Sequence, residues 1–241
     1  MLQRLSFWAR VLRAPFFTAA IVPTLLGAAL AWSRGQLHWG LLALTLLGIV
    51  AIHAGLNVGN DYYDHLSGND EANSHPTPFS GGSRMIQRGL LTPRQTLALS
   101  LICYAVGVAL GLVLAVLRGW PVLWLGLAGV ALAFFNSAPP LRLSYRGHGL
   151  SELAVGLGFG PLIVLGTYYV QLQRFDWPVL LAALPVALLI VAVQYINEFP
   201  DYEADKAVGK QTLVVVLGPR RAVAGYIALM AATYLAIGGG V

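Results

Sequence analysis

The sequence predicts an all-α bundle of membrane-spanning helices, and three observations carry that expectation. The chain is 57% hydrophobic and only 10% charged, whereas soluble domains carry about 25% charged residues. Its apolar residues fall into seven continuous runs, each approaching the roughly 20 residues that cross hydrocarbon. Only helices or closed barrels satisfy backbone amides in lipid, and runs this long and continuous are helical. Mean hydropathy of +0.70 agrees with an integral membrane protein.

In chain order, the first run, 15–32, follows Arg4, Arg10 and Arg13 and lacks the pattern of a cleaved signal peptide. Residues 33–38 join it to the second run, 39–60, closely enough for an antiparallel hairpin. That run ends in an acidic segment, Asn57-Val-Gly-Asn60-Asp61-Tyr-Tyr-Asp64, continuing to Asp70. A polar loop follows, containing Pro78-Phe-Ser-Gly81-Gly82-Ser83-Arg84 and Arg88, before the third run, 95–117. The fourth, 121–138, comes almost at once. Pro139-Pro140-Leu-Arg142-Leu-Ser-Tyr145-Arg146-Gly-His148 makes a basic turn into the fifth, 153–171. Residues 173–176 turn into the sixth, 177–197, which ends in a second acidic segment, Asn197-Glu198-Phe-Pro-Asp201-Tyr-Glu203-Ala-Asp205-Lys206. Lys210 lies in the loop before the seventh run, 222–241. With no soluble domain or low-complexity linker, residues 1–241 read as one membrane domain.

Charge placement orients the bundle. With alternating spans, twelve of the 15 Lys and Arg residues fall on the side of the N-terminus, and only Arg34, Arg118 and Arg174 on the other. That bias makes the N-terminal side cytoplasmic. Scattered loop bases beside an anionic leaflet also explain the net charge of +5 better than nucleic acid does. The single cysteine, Cys103, sits in an apolar run as a small packing residue and excludes an internal disulfide. Gly107 and Gly111, and Gly156, Gly158 and Gly160, read as sites of close helix packing.

The acidic segments carry the chemistry. Seven of the ten carboxylates lie in them, and Glu71 directly follows the first. Ionised groups at membrane helix ends are costly unless neutralised, which marks them as functional. Asn57, Asp61 and Asp64 are spaced i, i+4, i+7 and share an arc of about 60° on one helix face. His53 extends that stripe one turn deeper. Past Asp64, Ser67-Gly68 loosens the helix before Asp70. Gln194, Asn197, Asp201 and Asp205 form a similar stripe if the helix continues, but Pro200 favours a kink or a fresh start there, with Asp201 and Glu203 in its first turn. Glu152 after Ser151 reads as a first-turn carboxylate with a serine N-cap. Two carboxylate sets without Cys or His suit a hard cation such as Mg²⁺, which prefers phosphate as its other partner. Arg84, Arg88, Arg142, Lys206 and Lys210 around them point to a compact polyanion, and a diphosphate fits.

The paired acidic segments, the Pro-Pro-Leu-Arg run and Gly209-Lys210-Gln-Thr-Leu resemble the UbiA-type intramembrane prenyltransferases over nearly the whole chain. Asn60-Asp-Tyr-Tyr-Asp64, Gly149-Leu-Ser-Glu152-Leu and Gly160-Pro-Leu with Gly166-Thr-Tyr-Tyr-Val-Gln171 resemble the menaquinone branch, which prenylates 1,4-dihydroxy-2-naphthoate. The resemblance implies a helical bundle with cytoplasmic cap loops over the active site, and Mg²⁺-dependent transfer of a polyprenyl group from its diphosphate to an aromatic acceptor, in contact with membrane lipid. It implies metal-holding roles for Asn57, Asp61, Asp64, Asp201 and Asp205, with Asn197 in support. It also implies diphosphate contacts from Arg84, Arg88, Arg142, Lys206 and Lys210. Tyr145, His53 and Asp70 are secondary candidates. Asp70 stands in for a family aspartate where this chain has Gly68, and Pro200 stands where the menaquinone branch often has arginine. The family usually has nine spans and this chain stops after seven, as a short variant or one lacking a C-terminal hairpin. Hydroxybenzoate, glycerophosphate-lipid and porphyrin-type acceptors are the alternatives within the family. A transporter with acidic cation sites is the alternative outside it, and the absence of matching acids on the outer side argues against that.

Overall fold

The computed structural model describes residues 2–74, 76–77 and 80–239. Pro78 of the basic loop and residues 240–241 of the last expected span lie outside the described residues. These form eleven α-helices and no strand: α1 (Leu2–Val11), α2 (Thr18–Trp32), α3 (Trp39–Ser67), α4 (Asn69–Ala72), α5 (Pro93–Arg118), α6 (Trp120–Phe135), α7 (Leu150–Leu157), α8 (Ile163–Leu172), α9 (Trp177–Ala207), α10 (Leu213–Leu217) and α11 (Pro219–Gly239). Six stretches are long and apolar enough to cross a membrane: Ala14–Trp32, Trp39–Ser67, Pro93–Arg118, Leu150–Leu172, Trp177–Ala207 and Pro219–Gly239. At the place of the fourth expected span, α6 has 16 residues. At 1.5 Å per residue that is about 24 Å, short of a hydrocarbon layer of about 30 Å.

Helix limits follow local chemistry. Thr92 and Gln95 form a reciprocal capping box at the start of α5, with Pro93 at the first helical position. Gly68, at φ 77°, ends α3 in the left-handed conformation. Between α7 and α8 a π turn, Gly158–Leu162, contains Pro161, whose missing amide donor suits a locally loosened helix. The expected fresh start at Pro200 is not found. α9 runs unbroken through both Pro185 and Pro200, so Asp201 and Glu203 lie in its last turns.

α3, at 29 residues, and α9, at 31, are about 43 and 46 Å long. Each overshoots the hydrocarbon by two to three turns, and the overshoot carries the acids. At their other ends Trp39 and Trp177 are exposed, as are Trp32 and Trp120 at the ends of α2 and α6, as interfacial tryptophans are. That far end is tied together. The Arg118 guanidinium donates to the Val170 carbonyl at 2.5 Å and the Gln171 carbonyl at 2.6 Å. The buried Gln171 amide oxygen accepts from the His38 backbone N–H at 2.7 Å.

α3 packs most extensively on α5. A methyl group on Gly107 would lie 2.5 Å from Ile52 Cδ1 and 2.9 Å from the Gly48 carbonyl, so this glycine is required for the approach. Gly160 stands likewise against Ala187 of α9, and Gly156 against Val191. Gly111 and Gly158 do not follow the expectation of close packing: nothing lies within 4 Å of a methyl placed on either. They border empty space instead. Ala31, Val164, Tyr168, Val179 and Ala183 seal α2, α8 and α9. Outward-facing Ile102, Val116, Leu181 and Ile227 suit lipid.

Candidate active site between two acidic helix ends

The overshooting ends of α3 and α9 are joined by cross-links from the loop that follows α3. Asn69 donates to Asp205 Oδ1 at 2.9 Å and Asn73 to Asp201 Oδ1 at 2.7 Å. Lys210 Nζ stands 3.0 Å from Asp64 and 3.7 Å from Asp205, bridging the two segments. Burial disfavours the charged form of Lys210, yet Asp64 and Asp205 outweigh it and hold the ammonium above the usual lysine range. The Ser83 backbone N–H donates to both Asp61 oxygens at 3.2 Å. Gly82, at φ 70°, lets the loop come this close. A methyl there would sit 2.9 Å from Asp61 Oδ1 and 3.0 Å from Asp70 Oδ2, so both carboxylates converge on it. Asp70 is 2% exposed. Burial pushes its carboxyl up to about 8, with Asp64 and then Asp61 adding to the effect.

A polar cavity of about 210 Å³ opens between these helix ends. Of the residues expected at the site, Asn57, Asn197, Asp201, Asp205, Lys210 and His53 line it. Asp61 and Asp64 are joined to it through two of its lining cations: Arg13 Nη1 lies 3.9 Å from Asp61, and Lys210 contacts Asp64. The other expected cations do not line it. Arg84 donates to the Asp70 backbone carbonyl. Arg88 sits one turn further along that loop, its N–H donating to the Arg84 carbonyl at 3.1 Å. Arg142 lies 4.0 Å over the Tyr145 ring, and Lys206 5.5 Å over that of Tyr202.

Arg13 is the cation that the sequence reading left among the topology determinants. It joins α1 to the bundle in a left-handed conformation, φ 52°, and no local motif marks it. Glu152 lies in the first turn of α7, as expected, and only its expected serine cap is corrected. Gly149, and not Ser151, caps α7, and the Ser151 hydroxyl donates to Asn136 Oδ1 at 2.9 Å. Glu152 itself is buried and accepts from the Leu213 N–H at 2.8 Å, while Glu198 accepts from the Val214 N–H at 3.3 Å. The two glutamates thus hold the first amides of α10 just after Lys210.

A second, apolar cavity of about 230 Å³ lies deeper among α3, α5, α6, α7 and α8. Gly111, Gly126, Gly129 and Gly158 line it and leave its space open. The two cavities share His53, Leu56, Asn136, Val155 and Phe159 as a common wall. There the His53 ring meets Phe159 edge-on at 4.6 Å and Phe17 at 5.5 Å. Its Nδ1 and the Gln194 amide oxygen are enclosed without hydrogen-bond partners.

Among the described residues no three carboxylate, histidine or cysteine side chains are already gathered into a metal cluster. The donor set nevertheless fits a hard cation. The carboxylates outnumber the bases among them, Asp70 retains its proton toward about pH 8, and an ammonium stands between Asp64 and Asp205. A divalent ion would relieve the same crowding with oxygen ligands.

The chain matches the UbiA prenyltransferase family over residues 20–241. It is 34% identical to the 1,4-dihydroxy-2-naphthoate octaprenyltransferase of Mycobacterium tuberculosis, covering 93% of this chain and 74% of that one. It is 30% identical to the Bacillus subtilis enzyme of the same name, covering 90% and 68%. A 2-carboxy-1,4-naphthoquinone phytyltransferase of Synechocystis is 31% identical, covering 89% and 67%. The fold agrees with that of a UbiA homolog from Archaeoglobus fulgidus solved with DMAPP and Mg²⁺, at a TM-score of 0.72 and 18% identity over 95% of this chain and 75% of that one. With two acidic helix ends facing across a polar cavity that adjoins an apolar one, the chain belongs to the UbiA prenyltransferase family.

Proposed function

We propose that the chain, acting as one catalytic unit, transfers a polyprenyl group from polyprenyl diphosphate to 1,4-dihydroxy-2-naphthoate, the acceptor named for its relatives from M. tuberculosis and B. subtilis. The observation that carries this reading is the shared wall between a polar, acid-lined cavity and an apolar, glycine-lined one. A prenyl diphosphate has the same two parts, and the bond to be broken joins them. In this reading Asp61, Asp64, Asp201 and Asp205, with Asn57, Asn197 and Asp70, would hold Mg²⁺. When bound, Mg²⁺ supplies positive charge that makes diphosphate a competent leaving group. Lys210 and Arg13 face the same charge from the cavity wall and stabilise it as it develops. The apolar cavity encloses the chain and keeps water from the allylic cation.

The acceptor ring has to reach the reacting carbon at the shared wall. His53 and Phe159 offer aromatic rings at that wall, and the unpartnered Gln194 oxygen, on the polar cavity, is available to accept a hydrogen bond from a ring hydroxyl. Bond formation at the carbon bearing the carboxylate, followed by loss of CO₂, restores the aromatic ring. The bias of loop cations toward the acidic end supports a site on the cytoplasmic face of the cell membrane. Ser80, in the loop before α5, is buried, so the exposed Gln211 is the position to test for sidedness. A Gln211→Cys protein lacking Cys103 should react with an impermeant thiol reagent only from inside.

The deciding experiment supplies purified protein with Mg²⁺, a polyprenyl diphosphate and carboxyl-labelled dihydroxynaphthoate. Release of labelled CO₂ with a prenylated naphthol product is expected. Turnover of hydroxybenzoate or a glycerophosphate acceptor, with no CO₂ from dihydroxynaphthoate, would overturn the acceptor assignment and leave the family intact.

A further inference from the structure

The N-terminal helix α1 takes no part in the site, yet it is built as more than a leader to α2. Val11 is buried and Phe7 half-buried, which fixes one side of the helix against the bundle. On an adjoining side Leu5 is 57% exposed and Trp8 47% exposed. At 100° per residue these two lie about 60° apart, with the partly buried Ala9 beyond them, as one apolar stripe that the described residues leave about half exposed. Arg4 borders the stripe about 40° from Trp8, while Arg10 lies about 140° from Leu5, toward the other side of the helix; both are exposed, and neither makes an ion pair among the described residues. Arg10 only donates back to the Ser6 carbonyl at 3.4 Å.

The position of the helix says what covers it. α1 is joined, through the left-handed Arg13 and a short 3₁₀ turn at Ala14–Phe17, to the membrane-crossing α2, at the same end of the bundle as the acids. The exposed stripe therefore stands where the lipid-facing belt meets the headgroups. An amphipathic helix with tryptophan and leucine on one side and exposed arginines on the rest of its open surface has the chemistry of an in-plane interfacial helix. Its unpaired cations call for anionic headgroups.

The two residues that follow the helix reach the site directly. Asn57 donates to the carbonyl of Leu12, one residue past α1, at 3.1 Å. The next residue, Arg13, turns left-handed, lies 4.7 Å over the Phe16 ring and faces Asp61 at 3.9 Å. The orientation of α1 thus sets the place of a site cation. We propose that α1 is a docking helix for anionic phospholipid, lying in the headgroup layer at the acidic end, and that its docking holds Arg13 at the diphosphate-binding cavity. The second clause rests on the prenyl-transfer reading above, and the first does not.

Both are tested with the full-length protein in vesicles of phosphatidylcholine, with or without phosphatidylglycerol. In a Cys103→Ser background, spin labels at Leu5→Cys and Ser6→Cys report depth. The label at 5 should be open to oxygen in the acyl boundary, and the label at 6 to a water-soluble nickel chelate. Equal exposure of both to the chelate would overturn the docking. For the coupling, Arg4→Gln/Arg10→Gln is compared with the wild type in the same vesicles, so that substrate partitioning cancels. In phosphatidylglycerol the double variant should show a several-fold higher KM for prenyl diphosphate with kcat retained, and in pure phosphatidylcholine the two proteins should converge. An unchanged KM alongside confirmed depth would overturn the coupling. Absence of prenyl transfer from the wild type would refute the proposed activity, while the depth measurement would still decide the docking.

Discussion

The two ends of the bundle handle buried polarity in opposite ways. At the tryptophan end Arg118, Gln171 and Asp176 each close on a partner within the protein. Arg118 donates to two backbone carbonyls, Gln171 exchanges bonds with the His38 backbone, and Asp176 pairs with Arg174 at 3.2 Å. At the acidic end Asp61, Asp64, Asp70, Asp201 and Asp205 rely largely on Lys210, Arg13 and amide donors. His53 Nδ1 and the Gln194 oxygen have no partner at all. Buried polar groups in folded proteins are normally satisfied. A region that closes its hydrogen bonds internally serves the fold, and one that leaves them open awaits a ligand.

The contrast fails if an acid at the open end proves dispensable. Asp61→Asn and Asp205→Asn should each reduce prenyl transfer by two to three decades, about 3–4 kcal/mol of transition-state stabilisation. Circular dichroism and membrane insertion should be unchanged. Near-native turnover with Mg²⁺ would remove the acid from the machinery.

A smaller effect is expected at the apolar cavity, where open space does the work of the missing partners. Gly126→Leu fills room that no neighbour occupies. Competition between prenyl diphosphates of different length should shift kcat/KM toward shorter chains by roughly tenfold. Equal preference in the variant would mean that the chain lies elsewhere.

At the closed end the effect should be on stability alone. Gln171→Leu strands the His38 backbone groups and should cost about 1–3 kcal/mol in denaturant unfolding. KM and kcat should stay at wild-type values. A kinetic defect without a stability defect would reverse the roles assigned to the two ends.

The last comparison counts protons. Asp70 holds its proton toward about pH 8, so at pH 7 it is mostly protonated and at pH 9 mostly ionised. If Asp70 is a ligand, Mg²⁺ binding should release up to about one proton at pH 7 and almost none at pH 9. Calorimetry in buffers of different ionisation enthalpy measures this, and equal release at both pH values would exclude Asp70 from the metal set.

How much of this was legible in the sequence differs by region. The Asn57–Asp61–Asp64 stripe was readable because it lies on an uninterrupted helix with a fixed period. The continuation of α9 was not, since Pro200 breaks the local rule and its tertiary packing is invisible in sequence. The place of Glu152 in the first turn of α7 was legible, but its partner was not, since Leu213 lies 61 residues away. Arg13 was beyond reach for the same reason, its meaning depending on Asp61 across the bundle. The apolar cavity was misread as close packing at Gly111 and Gly158, because a glycine admits a neighbouring helix or leaves a void according to what stands opposite.

The overshoot of α3 and α9 has a consequence for bilayer thickness. At 1.5 Å per residue, Asp61 stands about 33 Å from Trp39 and Asp201 about 36 Å from Trp177. Those tryptophans fix the level of the far interface, so the two helices act as a pair of gauges. In a membrane of about 30 Å the acids just clear the hydrocarbon. A bilayer several ångströms thicker would draw them into it or force the bundle to deform. The lipids that form its surroundings therefore set the height at which this acidic end meets water.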